Sequence, residues 1–121
     1  PATIAPFVIA RIGASNARRY MLTGERFDAA RARDIGLVHE RCDVDELDDS
    51  IQAVVADLLS GGPEAIAECK QLIRRVHDFD GPAGELDAIT AEWIARLRVG
   101  AEGQEGLRAF LEKRTPSWRN S

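Results

Sequence analysis

"MLTGERFDAARARDIGLVHER", residues 21–41, contains a helix with both end signals but too few apolar side chains to stand alone. Asp28 can accept hydrogen bonds from the free N–H groups that open "AARARD". Gly36 can take the left-handed backbone that closes a helix. Leu37, Val38 and His39 then precede a polar turn and read as a short extended segment. The order is strand-like segment, turn, short helix, glycine, strand-like segment, with an alanine-rich face suited to close packing. Such a helix braces something larger than itself.

Helical spacing continues on both sides. Upstream, Ile4, Phe7, Val8 and Ile12 recur at helical intervals, with Thr3 as the predicted N-cap and Pro6 in the first turn. Gly13 supplies a stop, and "SNARRYML" runs from a Ser15 cap to Gly24. Downstream, "DVDELDDS" (43–50) places five acids at a helix start, where negative charge suits the macrodipole. Leu47, Ile51, Val54, Val55, Leu58 and Leu59 form an apolar stripe. "SGGP", "DFDGPAG" and "VGAEG" separate three more helices. Ile66, Cys69, Ile73 and Val76 line one, with Cys69 read as core. Leu86, Ile89, Trp93, Ile94 and Leu97 line the next, and Leu107, Phe110 and Leu111 the last. The tail "TPSWRNS" frays unless Trp118 docks. The fold class is mainly α, with at most one short extended segment. The stripes are broad for 121 residues, so part of that surface awaits a partner.

Composition narrows the function classes. Residues 1–41 carry seven Arg against four acids, whereas residues 42–121 carry nine Lys or Arg against sixteen acids. The net charge of −4 and 6% aromatics disfavour nucleic-acid binding. No apolar run reaches membrane-spanning length. Cys42 and Cys69 form no CxxC pair, which points to a reducing, cytoplasmic setting. The chain opens on Pro1, which suggests processing or a piece of a longer protein.

No self-contained active site emerges. His39 and His77 lack metal-ligand spacing; His39 reads as a surface residue and His77 as a C-terminal helix cation. Glu25, Asp28, Glu85 and Asp87 fit caps or solvated first turns. "GAEGQEG" has three glycines, but its two Glu would repel phosphate. Lys113 and Arg114 follow Phe110, and cations beside an apolar surface suit a nucleotide phosphate as well as the helix dipole.

"RRYMLTGERFDAARARDIGLVHE" (18–40), "GGPEAIAECKQLI" (61–73) and "EGLRAFLEKRTPSW" (105–118) occur in order. Together they resemble the crotonase, or enoyl-CoA hydratase/isomerase, superfamily, and "PATIAPFV" resembles its methylglutaconyl-CoA hydratase branch. The resemblance implies the helical C-terminal region of the ClpP/crotonase-like fold. Residues 1–42 would end the crotonase core, with the helix leaving the active site and the bracket helix. Residues 43–121 would form the helical trimerisation region. A preceding ββα spiral would supply the oxyanion hole, most of the CoA pocket and the catalytic glutamates.

Carried over residue by residue, the resemblance gives Lys113 a contact to CoA phosphates and Ile94 an apolar contact near the adenine. Pro1 and Thr3 would border the acyl pocket. No residue matches a catalytic acid or base, and no metal or cofactor is implied beyond the CoA thioester substrate. The implied partners are the N-terminal crotonase core, acyl-CoA, and further copies as a trimer or dimer of trimers, with no nucleic acid and no membrane. The expected function is therefore that of a C-terminal piece of an enoyl-CoA hydratase, inactive by itself. A stand-alone helical interaction module, or an isomerase or dehalogenase of the same superfamily, are the alternatives.

Overall fold

The computed structural model describes residues 2–120. The described residues form six α-helices: α1 (Ala5–Thr23), α2 (Ala29–Asp34), α3 (Leu47–Ser60), α4 (Pro63–His77), α5 (Ala83–Val99) and α6 (Ala101–Glu112). Short 3₁₀ turns lie at Val44–Glu46 and Ser117–Asn120. No strand occurs among the described residues. The chain divides into two units, residues 1–50 and 51–121.

In the first unit, α1 starts one residue later than the predicted Thr3 cap. Ile4 is the N-cap, because its carbonyl accepts the first helical bond from Val8 N–H at 3.0 Å. Gly13 breaks the helix as expected, with φ 73° and ψ 160°. Asn16 Nδ2 donates to the Ile12 carbonyl at 3.0 Å beside that break. Gly24 ends α1 in left-handed geometry.

The bracket helix α2 follows its end signals closely. Asp28 Oδ1 accepts from Arg31 N–H at 2.8 Å. At the other end Gly36 has φ 79°, Gly36 N–H donates to Arg33 C=O at 3.0 Å, and Leu37 N–H donates to Ala32 C=O at 2.9 Å. This paired closure caps the helix and explains why the predicted extended segment is absent. Leu37 spends its N–H on the closure and its carbonyl on Arg11 Nε at 3.3 Å, leaving no ladder for a strand to join. Residues 37–39 are bends.

Ile12, Ala17, Tyr20 and Ile35 form the core of this unit, with Val8 and Leu37 against it. Tyr20 stacks obliquely on Phe27, with ring centroids 4.6 Å apart. Its hydroxyl accepts from Arg31 Nε at 2.7 Å, so the polar end of a buried ring is satisfied. Burying Ala32 and Ile35 through so short a helix requires both caps, since six residues cannot sustain helicity alone.

In the second unit α4, α5 and α6 contact one another. Arg96 of α5 donates from Nη2 to Glu68 of α4 at 2.6 Å and lies over the Trp93 ring. Cys69 is exposed rather than core, because no element covers its face of α4. The α3 stripe is likewise open, with Val54 and Leu58 each 53% exposed and Leu59 70%. The tail docks: Trp118 Nε1 donates to Ser60 C=O at 3.2 Å and its ring edge lies against Gly106.

Accessible surface quantifies the open faces. Two independently compact units of these lengths would together expose about 7,800 Å². The chain exposes 9686 Å².

Candidate functional site

The second unit holds the two residues that the resemblance assigned to coenzyme A. Ile94 projects from α5 and is 63% exposed. Lys113 sits just beyond α6 and is exposed. No hydrogen bond or ring contact joins them among the described residues. Thr3 is exposed in the first unit, and Pro1 lies outside the described residues.

Lys113 has an unusual backbone. With φ 53° and ψ 39° it is the single non-glycine with positive φ among the described residues. Its N–H donates to Phe110 C=O at 3.3 Å and Arg114 N–H donates to Ala109 C=O at 3.0 Å, the same paired closure that ends α2. At α2 a glycine fills that place. A side chain there costs about 1–2 kcal/mol, so the surroundings of Lys113 must offset it.

Those surroundings are electrostatic. Arg114 Nη1 and Nη2 grip Glu105 at 2.7 and 2.9 Å, and its Nε donates to Glu112 at 2.6 Å. Glu105 also accepts from the Ser117 N–H at 2.9 Å. The Arg114 hydrogen bonds, then the Ser117 N–H, hold the Glu105 carboxyl down at about 2. The Arg114 guanidinium is correspondingly raised, chiefly by Glu105 and then Glu112.

The other glutamate of "GAEGQEG" also has a structural task. Glu102 of α6 accepts from Ala65 N–H at 2.8 Å and Glu64 N–H at 3.0 Å, capping α4 from a different helix. Neither Gly62, at the N-cap, nor Pro63 has a side-chain acceptor that could do this locally. A cavity of about 210 Å³ opens beside this cap, lined by Gly62, Leu97, Glu102, Gly106 and Trp118. Its walls are mostly carbon atoms. The two Glu therefore cap and latch, which their spacing in sequence does not reveal.

Other candidates have plain structural partners. Arg19 holds Glu25 through two hydrogen bonds of 2.8 and 2.9 Å, which lowers the Glu25 carboxyl and raises the Arg19 guanidinium. The hydrogen bond from Arg96 likewise lowers Glu68. Trp93 Nε1 is buried beside Glu68 and adds a smaller lowering of the same carboxyl. His39 is exposed, and His77 Nδ1 lies 2.9 Å from Asp78 Oδ1 at the end of α4. No cluster of three His, Cys, Asp or Glu able to hold a metal occurs among the described residues. In the first unit, Ile9, Ala14, Ala17, Arg18, Met21 and Leu22 line an open apolar groove of about 450 Å³.

A helical array with uncovered apolar faces and a strained, exposed lysine is the class of structure these residues build. The enoyl-CoA hydratase/isomerase family profile matches residues 1–121, and the chain belongs to that family. It is 26% identical over 116 residues to mevalonyl-coenzyme A hydratase of Aspergillus fumigatus, covering 96% of this chain and 43% of that protein. It is 27% identical over 113 residues to trans-2-decenoyl-(acyl-carrier-protein) isomerase of Streptococcus mutans, covering 93% and 42%. Among solved structures, an enoyl-CoA hydratase from Shewanella pealeana superposes with a TM-score of 0.87 at 44% identity, covering 98% of this chain and 43% of that one. Pseudomonas aeruginosa AtuE superposes with a TM-score of 0.88 at 41% identity, covering 98% and 46%. The chain thus spans less than half the length of each of these relatives.

Proposed function

We propose that the chain is the C-terminal helical part of an acyl-CoA enzyme, most nearly an enoyl-CoA hydratase, and that chemistry occurs on a preceding core. The observation that carries this reading is coverage: 98% of this chain matches 43% of a solved hydratase. Unburied apolar stripes support it, because such faces ask for a covering partner. In this reading the core provides the oxyanion hole and the acid–base glutamates, which polarise the thioester carbonyl and deliver a proton. The helices cover that core and carry contacts between copies, as a trimer or dimer of trimers. Lys113 meets a CoA phosphate, Ile94 rests near the adenine, and Thr3 borders the acyl chain. No helix among the described residues is long and apolar enough to cross a membrane.

The test is hydration of crotonyl-CoA, followed by loss of the enoyl absorbance. The purified 121-residue chain is expected to give no turnover, and a chain extended upstream through the whole family length is expected to give it. Turnover by the short chain alone defeats the proposal. Isomerisation is the second reading, favoured by the similarity to the Streptococcus isomerase. Migration of the double bond without water addition in the extended chain would select it.

A further inference from the structure

Lys113 takes a backbone conformation that glycine adopts far more readily, and its neighbours hold it there. Arg114, the next residue, reaches both Glu105 and Glu112, while Glu105 reaches on to the Ser117 N–H. The chain is thus pinned immediately after Lys113 and again four residues later. The same contacts spend on Arg114 the two carboxylates closest in sequence and helix turn. Lys113 itself makes no ion pair among the described residues. A strained residue fixed by its surroundings, exposed and with its charge uncompensated, is built to meet an anion.

We propose that Arg114 is a positioning residue: by holding Glu105 and Glu112 it fixes the left-handed backbone of Lys113 and leaves the ammonium free for a phosphate of acyl-CoA. This rests on the acyl-CoA reading of Lys113. Arg114 touches no ligand in this scheme. An ammonium is a compact charge that suits phosphate, whereas the guanidinium fork matches carboxylates in pairs.

The experiment uses the chain extended upstream through the whole family length, in two arms. In the first, without ligand, NMR follows the Lys113 Cα shift and its amide–Hα coupling in wild type, R114Q and the double variant E105Q/E112Q. Both variants are expected to move Lys113 toward averaged values while the α6 amides stay dispersed; an unmoved Lys113 overturns the clamp. In the second, coenzyme A at millimolar concentration is titrated into the same proteins and K113Q. E105Q/E112Q is expected to weaken binding about fivefold. Removing two negative charges would by itself tighten binding, so a weakening reads geometry, and a tightening overturns the proposal. In a K113Q background the Glu substitutions should no longer weaken binding. Binding that is undetectable, or indifferent to K113Q, overturns the acyl-CoA reading of Lys113 whatever the ligand-free arm gives.

Discussion

Gly62 lacks a side chain where Glu102 needs the room: a Cβ on Gly62 would collide with the Glu102 carboxylate that caps α4. The colliding atoms are the end of a flexible side chain, and the Gly62 backbone (φ −65°) suits any residue. The cost of Gly62→Ala is therefore loss of the cap, about 1 kcal/mol, similar to that of Glu102→Ala. The double variant should lose little more than either single one, since each removes the same interaction. Urea unfolding followed by circular dichroism measures this; fully additive losses would show that the two residues act separately.

Acid should release the tail before it unfolds the helices. Glu105 has a folded-state pKa of about 2 against an ordinary 4.5. A depressed carboxylate stabilises above its unfolded pKa, and that stabilisation disappears as pH falls through the folded one. The Glu105 latch is thus fully present above about 4.5 and lost toward about 2. The Trp118 indole N–H resonance reports tail docking through Ser60, and it should shift in that window. Glu105→Gln should remove this acid step.

Lys113→Gly should raise stability and lower affinity together. Glycine relieves the left-handed strain by about 1 kcal/mol, less some added unfolded-state freedom. Thermal unfolding should therefore move upward while coenzyme A binding falls. A variant that is less stable than wild type would mean that Lys113 makes a stabilising contact outside the closure.

Gly36→Ala should have the opposite sign. At φ 79° an alanine is strained although its Cβ would meet only an ordinary contact, the Arg11 carbonyl at 3.8 Å. The loss should be about 1–2 kcal/mol and should expose Ile35 and Tyr20 of the first core. Amide exchange in α2 checks it: protection should drop there first.

The α3 stripe should drive association between copies. Val54→Asp with Leu58→Asp replaces two half-exposed apolar side chains and touches no hydrogen bond of α3 with another element. Sedimentation should show concentration-dependent oligomers for wild type and smaller species for the variant. A wild-type monomer that also fails to bind a hydrophobic dye would remove the oligomer from the proposed function.

Local chemistry was legible and distant pairing was not. Asp28, Gly24 and Gly36 do what their positions announce, because a cap and a left-handed closure involve residues within one turn. Thr3 was misplaced by a single position, since the first helical bond begins at the Ile4 carbonyl. The extended reading of Leu37–His39 failed for a related reason: helix closure took the backbone groups a strand would use. The stripe places Cys69 in the core, but periodicity states which face is apolar and not whether anything covers it. Glu102 capping α4 and Trp118 reaching Ser60 connect residues 37 to 58 positions apart, which no spacing rule foresees. The doubling of roles at Arg114, latch and neighbour of Lys113, likewise rests on contacts nine and twelve positions apart.

The thinness of the buried interior has a cellular corollary. Only Ile12, Ala17, Tyr20, Ala32, Ile35 and Ala109 count as buried hydrophobics among the described residues, and no large side chain is wholly sealed. A chain so constituted gains stability by mass action from whatever binds its folded form, rising with the logarithm of that binder's concentration. Its survival against proteases would then track supply of the binder, so an orphaned copy would be cleared and a matched one retained.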